Sequence, residues 1–144
     1  MLRSALFDYA NADSRRATEW MRTHPERAKI NRATWRKKNP EWVRQKNHEN
    51  NRRLKIEVLS HYGDGLAACA CCGDPHIEFL GIDHIGGGGG AHRRNANGKL
   101  NGSKLYWWLR RESYPVGYRV LCHNCNLAIG MYGYCPHAGA VKTT

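Results

Sequence analysis

Two of the spacings among the six cysteines suit metal knuckles: Cys69-x2-Cys72-Gly73 and Cys122-x2-Cys125. Four thiolates set tetrahedrally are the donor set that a structural Zn²⁺ prefers, so these four are read as ligands of one zinc ion. Cys71 offers a competing partner, but adjacent cysteines do not easily chelate one ion, and the glycine after Cys72 suits a tight turn. Cys71, Cys135, His123 and His137 could form a second metal site, but they are read as groups that pack around the first centre or support its ligands. Between the two pairs lie 49 residues, far more than the loop of a small zinc ribbon, so something is inserted there. The insert carries Gly81-Ile82-Asp83-His84-Ile85, an acid beside an imidazole after an apolar stretch. Asn126 follows the second pair directly, at the start of a helix that the zinc would hold in place.

Asp83-His84 followed by Cys122-His123-Asn124-Cys125-Asn126 resembles the HNH endonucleases, also called His-Me finger or ββα-metal nucleases. The similarity is to the zinc-containing phage type that includes recombination endonuclease VII, and it runs from about Cys69 to His137. Within it, the run Asp83 to Gly88 with His92-Arg93, the Tyr106-Trp107-Trp108-Leu109 segment and Gly133-Tyr134-Cys135-Pro136-His137 look like parts of small phage HNH proteins. The resemblance implies an α+β fold, a small ββα-metal domain stapled by the four-cysteine zinc site. It implies metal-dependent hydrolysis of DNA phosphodiesters, leaving 5′-phosphate and 3′-hydroxyl ends. By position it implies that Asp83 and Asn126 bind a catalytic Mg²⁺ or Mn²⁺ and that His84 is the general base.

That trio is chemically coherent. A hard cation held by only two protein oxygens keeps positions open for water and for the scissile phosphate. A neutral imidazole beside it can take a proton from the attacking water near neutral pH. Adjacent residues of a regular strand point to opposite faces, so an irregular strand end or bulge is expected at Asp83-His84. Many HNH proteins carry an orienting Asn five residues before the third cysteine; here that position is Gly117, so another group must orient His84. His92 and Arg93 are expected to contact the scissile phosphate, Arg93 as a bidentate donor. Gly86 to Gly90 lacks the Lys-Ser/Thr of a P-loop and is read as a loop allowing close backbone approach to DNA. The competing reading is a zinc-dependent DNA-binding module with a decayed nuclease centre, favoured by Gly117 and opposed by the intact Asp83, His84 and Asn126.

The elements that must position these residues can be read in outline. A strand is expected around Phe79 to Ile85, a helix after Ser103 with Leu105, Trp108 and Leu109 on one face, and a second strand over Tyr118 to Leu121. The last runs into a helix from near His123 to Gly130. Leu54, Val58 and Tyr62 recur every fourth residue, as suits a helix docked on this domain and ended by Gly63-Asp64-Gly65.

At 144 residues the chain is long enough for one compact domain and an appendage. Residues 1 to 56 form the expected appendage, a basic helical DNA-binding arm, and residues 57 to 144 the zinc-containing domain. The arm holds 15 Lys and Arg against 6 Asp and Glu, and so contributes most of the net charge of +11. That balance points to a polyanion, nucleic acid first, and the resemblance implies double-stranded or branched DNA. Trp20, Pro25 and Glu26 recur fifteen residues later as Trp35, Pro40 and Glu41. His24 and Asn39 precede the two prolines as polar caps, so helices should end near Arg22 and Lys37 and restart at Pro25 and Pro40. Arg44 to Arg53 has no apolar side chain and is expected to be a solvated or DNA-facing helix, or disordered without ligand. No apolar run approaches the roughly 20 residues that cross a bilayer, which excludes a membrane-spanning class. The N-terminal residues show no secretory h-region, so reduced thiols and a cytoplasmic setting are expected, that of a bacterial host for a phage protein.

Overall fold

The computed structural model describes residues 14–95 and 100–139. Among them the chain has mixed α and β structure with one small sheet, and divides into two units, one ending at Asn47 and one beginning at His48.

The described residues of the first unit, 14–47, are helical except at His24 and Asn39. Helix α1 covers residues 14–23, α2 is Pro25–Lys38, and α3, Pro40–Tyr62, begins in this unit and continues into the next. The restarts fall where the prolines require them, because a proline interior to a helix removes a hydrogen bond and clashes with the preceding turn. The polar residues before them act otherwise than expected. His24 makes no side-chain cap to α2, and the Asn39 amide instead donates to Trp35 O at 2.7 Å. Trp35 O thus accepts both the Asn39 backbone N–H, at 3.0 Å, and the Asn39 side-chain amide at the end of α2. Trp20 stacks on His24 at 5.2 Å, and Trp35 meets Trp42 edge-on at 4.9 Å. Ala28 is the only described residue before His48 that is buried.

The second unit has a core. Leu54 and Val58 of α3 are buried against Leu109 of α5 (Ser103–Arg111), and Leu59 is buried among the strands. Strand β1, Leu80–His84, pairs antiparallel with β2, Tyr118–Cys122, and β2 leads directly into α6, His123–Tyr132. Two short helices complete the unit, α4 (Gly89–Asn95) and α7 (Pro136–Gly139). Half of the eight buried residues in the cluster under the sheet are cysteines: Cys69, Cys122, Cys125 and Cys135, beside Leu59, Leu80, Val120 and Leu121. No described helix is long and apolar enough to cross a membrane.

Three expectations about local structure are corrected. The strand is regular at Asp83-His84, with Asp83 opposite Arg119 and His84 opposite Tyr118, and no bulge intervenes. The ladder is carried on past it by the Ile85 N–H, which donates to Gly117 O at 2.9 Å. Gly117 takes φ +97° there, a left-handed conformation that glycine adopts without strain. The run Gly86 to Gly90 is not loop throughout, because Gly89 and Gly90 open α4. Helix α6 passes through Gly130 and stops at Gly133, whose left-handed φ of 77° lets its N–H cap Ile129 O at 2.9 Å.

Candidate functional site

The 69–73 turn is shaped by its backbone. The Gly73 N–H donates to Cys69 O at 2.8 Å, and the Cys69 N–H to Asp74 O at 2.9 Å. The Ala70 N–H donates to Val120 O at 2.9 Å, which fastens the turn to β2. Cys122 ends β2 and is the N-cap of α6, its sulfur accepting the Cys125 N–H at 3.5 Å. The result brings the sulfurs of Cys69, Cys72, Cys122 and Cys125 within 4.8 Å of one another, a group that could hold a metal ion. Cys72 and Cys122 are 3.7 Å apart, close to the roughly 3.8 Å edge of a tetrahedron with metal–sulfur bonds of about 2.3 Å. Burial pushes the Cys69 thiol up, but amides of Cys72, Cys122 and Cys71 outweigh it and bring the group down to about 7, towards the thiolate that metals bind. Burial, followed by the neighbouring thiols, pushes Cys125 far upward.

Cys71 and Cys135 pack in the core cluster, and with Cys125 and His137 they also form a second group that could hold a metal ion, its ligand atoms within 4.8 Å of one another. His123 is not part of it and lines a separate cleft with Lys55 and Tyr106.

At the other end of the strand pair, Asp83, His84 and Asn126 line one cleft of about 220 Å³, together with Gly87, Gly89 and Gly90. Asn126 reaches it from the first turn of α6, which follows directly from the cysteine knuckle. The Asp83 carboxylate accepts a hydrogen bond from Arg119 Nε at 2.8 Å, the cross-strand neighbour that the register dictates. His84 Nε2 is 3.0 Å from His92 Nδ1, and the Tyr118 hydroxyl is 3.4 Å from the same His92 nitrogen. Tyr118 packs edge-on against the His84 ring at 4.7 Å, and Trp108 against His92 at 4.7 Å. In the tautomer in which His84 carries its proton on Nε2 and donates to His92, the basic nitrogen of His84 is Nδ1. That nitrogen faces Gly89, where a Cβ would sit 2.9 Å away. Glycine is needed at 89 for the space it leaves, not for an unusual backbone angle.

The ring that meets His84 is thus His92, which the sequence suggested only as a phosphate contact. Its α4 neighbour Arg93 lies on the helix, but its side chain is outside the described residues. Sequence reasoning missed the Asp83–Arg119 pair and the aromatic wall of Tyr118 and Trp108. The first follows from strand register, which a lone sequence fixes poorly.

Comparisons with protein-family models, with curated proteins and with solved structures found no match to this chain.

Proposed function

We propose that this chain is a metal-dependent DNA endonuclease of the HNH kind, with a basic helical arm and a Zn²⁺ ion on Cys69, Cys72, Cys122 and Cys125. The observation that carries the reading is the convergence of Asp83, His84 and Asn126 on one cleft, with the His84 ring held by His92.

In this reading His84 Nδ1 takes the proton of a water molecule as its oxygen attacks the scissile phosphorus, and the 3′ oxygen leaves on the opposite side. His92 and Tyr118 hold the imidazole in the tautomer that keeps Nδ1 basic. Asp83 and Asn126 offer a carboxylate and an amide oxygen to the cleft, hard donors that suit Mg²⁺ or Mn²⁺. When bound, such a cation supplies charge stabilisation to the phosphorane-like transition state and the leaving oxygen. Arg119 engages one side of the Asp83 carboxylate and fixes its orientation.

DNA is favoured as substrate by the charge of the arm and by exposed basic and aromatic side chains in both units. Trp20, Trp35 and Trp42 are exposed among the arginines and lysines of the first unit. On α5, Lys104, Arg110 and Arg111 share a surface with Trp107, and the Arg110 guanidinium lies 4.2 Å from the Trp107 ring centre. Such a surface suits phosphates and unstacked bases alike.

The second reading is a zinc-stabilised DNA-binding module without cleavage. Its supporting observation is the same Arg119, whose charge beside Asp83 opposes a second cation there. Incubation of supercoiled plasmid with the protein and Mg²⁺ or Mn²⁺ separates the two. The nuclease reading expects nicked or linear product that His84→Ala abolishes. Tight DNA binding with no product in either cation selects the binding module.

A further inference from the structure

We infer that the chain binds two metal ions in one cluster, bridged by the sulfur of Cys125. The inference extends the proposed zinc centre and is independent of whether the protein cleaves DNA.

The ligand arithmetic leads to it. Cys69, Cys72, Cys122 and Cys125 form one group of four, and Cys71, Cys125, Cys135 and His137 form another. Two tetrahedral ions need eight ligand positions, and seven residues fill them when one is shared. Cys125 is the shared member, and thiolate sulfur, with several lone pairs, can bind two ions at once. It is also placed as a bridge must be, fully buried in the core with both groups around it.

The adjacent pair Cys71-Cys72 now has an explanation. Neighbouring residues cannot easily reach the same ion, and here they go to different ones, Cys71 to the second group and Cys72 to the first. The spacings in the second group are also those of ligands around an ion. His137 Nδ1 is 3.2 Å from Cys125 Sγ and 3.6 Å from Cys135 Sγ. Bonds of about 2.3 Å to sulfur and about 2.0 Å to nitrogen, set tetrahedrally, give a separation of roughly 3.5 Å. All six cysteines are free of disulfides.

Charge favours two ions as well. With a neutral imidazole, two Zn²⁺ on six thiolates carry the same net charge as one Zn²⁺ on four. Each cysteine releases its proton to solvent as it binds, and no oxidant is involved. The second ion also has structural work to do. The first holds the start of α6 through Cys122 and Cys125, and the second holds the segment after its end through Cys135 and His137. Asn126 lies next to the bridging residue, so both ions fix the helical turn that carries it.

Native mass spectrometry and elemental analysis of the full-length, zinc-replete protein test the count. Two zinc ions per chain are expected, falling to one in His137→Ala and in Cys135→Ser, with far-ultraviolet circular dichroism unchanged. Exchange of the wild-type protein into ¹¹³Cd²⁺ tests the bridge without any variant. Two cadmium resonances are expected, each split by the other through the Cys125 sulfur. One ion per wild-type chain overturns the inference and leaves the four-cysteine centre standing, whereas no ion at all overturns both. Two cadmium signals without mutual splitting overturn the bridge. If the variants fail to fold, the wild-type count and splitting decide.

Discussion

The two ends of the strand pair are built on different principles. At the Cys122 end, buried leucines and thiols crowd together, and the strand, the 69–73 turn and the start of α6 meet at sulfur. At the His84 end the residues are only partly buried, the neighbouring segment is glycine-rich, and the side chains are joined by ring contacts and polar hydrogen bonds. One end has the donors for permanent cross-links, and the other has space for a substrate. The contrast implies that stability and chemistry can be perturbed separately, although they share the short element from Cys122 to Asn126.

The largest expected effect comes from removing metal. A unit in which four of the eleven buried residues are cysteines has little apolar surface to fall back on, and structural zinc contributes roughly 10–16 kcal/mol in small zinc domains. Strong chelators should abolish cooperative thermal unfolding of the second unit, and restored zinc should bring it back. A sharp, unshifted melt in a chelated sample with no residual zinc would falsify the four-cysteine centre. The next effect lies at the other end. His84→Ala should lower cleavage by about 10² to 10⁴, while zinc content and DNA affinity stay near those of the native protein. Wild-type rates in that variant would move the base elsewhere, with His92 the next residue to replace.

Smaller effects sharpen the contrast. Gly89→Ala places a methyl group against His84 Nδ1, and a misplacement of this kind costs on the order of 10² in rate. Its melting temperature should change little, and equal losses of stability and rate would contradict the separation of roles. In the first unit, replacing Arg36, Lys37 and Lys38, the basic last turn of α2, with Gln should flatten the salt dependence of DNA binding. The slope of log K against log salt should fall by about 0.9 for each phosphate that is no longer neutralised. An unchanged slope would show that this turn does not touch DNA.

The smallest effect concerns Glu57, which accepts a hydrogen bond from the Tyr114 hydroxyl at 2.7 Å and another from Arg110 at 3.2 Å. The Tyr114 bond, followed after opposing burial by Arg110, holds its carboxyl below the usual range. A lowered carboxylate stabilises the fold above its unfolded value, about 4.3, and that contribution is lost as pH falls through the lower folded value. Glu57 is largely exposed, so Glu57→Gln should cost less than about 1 kcal/mol at neutral pH. Denaturant melts of the two proteins should converge below about pH 4, and a difference that persists there would assign the effect to packing.

The sequence revealed what local chemistry determines. Pro25 and Pro40 start helices because the ring permits little else, and Leu54 and Val58 were legible as a buried stripe by their spacing. Leu59 falls outside that period and is buried in the other cluster, among the strands. Gly130 misled because a single glycine is tolerated within a helix, and only Gly133 takes the left-handed angle that ends α6. The mixed α and β class and the grouping of Cys69, Cys72, Cys122 and Cys125 were readable. The pairing of His84 with His92 was not, since the two are separated by a glycine turn whose path no periodicity encodes. Nor was the role of Cys71, which depends on where Cys135 and His137 come to lie after α6.

The distance along the chain between the two knuckles also sets an order in time. Cys69 and Cys72 leave the ribosome first, and 49 residues separate them from Cys122. At about 5–20 residues per second they wait roughly 2–10 s for their partners. During that interval Asp83, His84 and His92 have all been made, but Asn126 and the sulfurs that would fix it have not. A nascent chain stopped at any earlier point therefore carries an incomplete cleft, and the proposed cleavage is withheld until translation has passed the second cysteine pair.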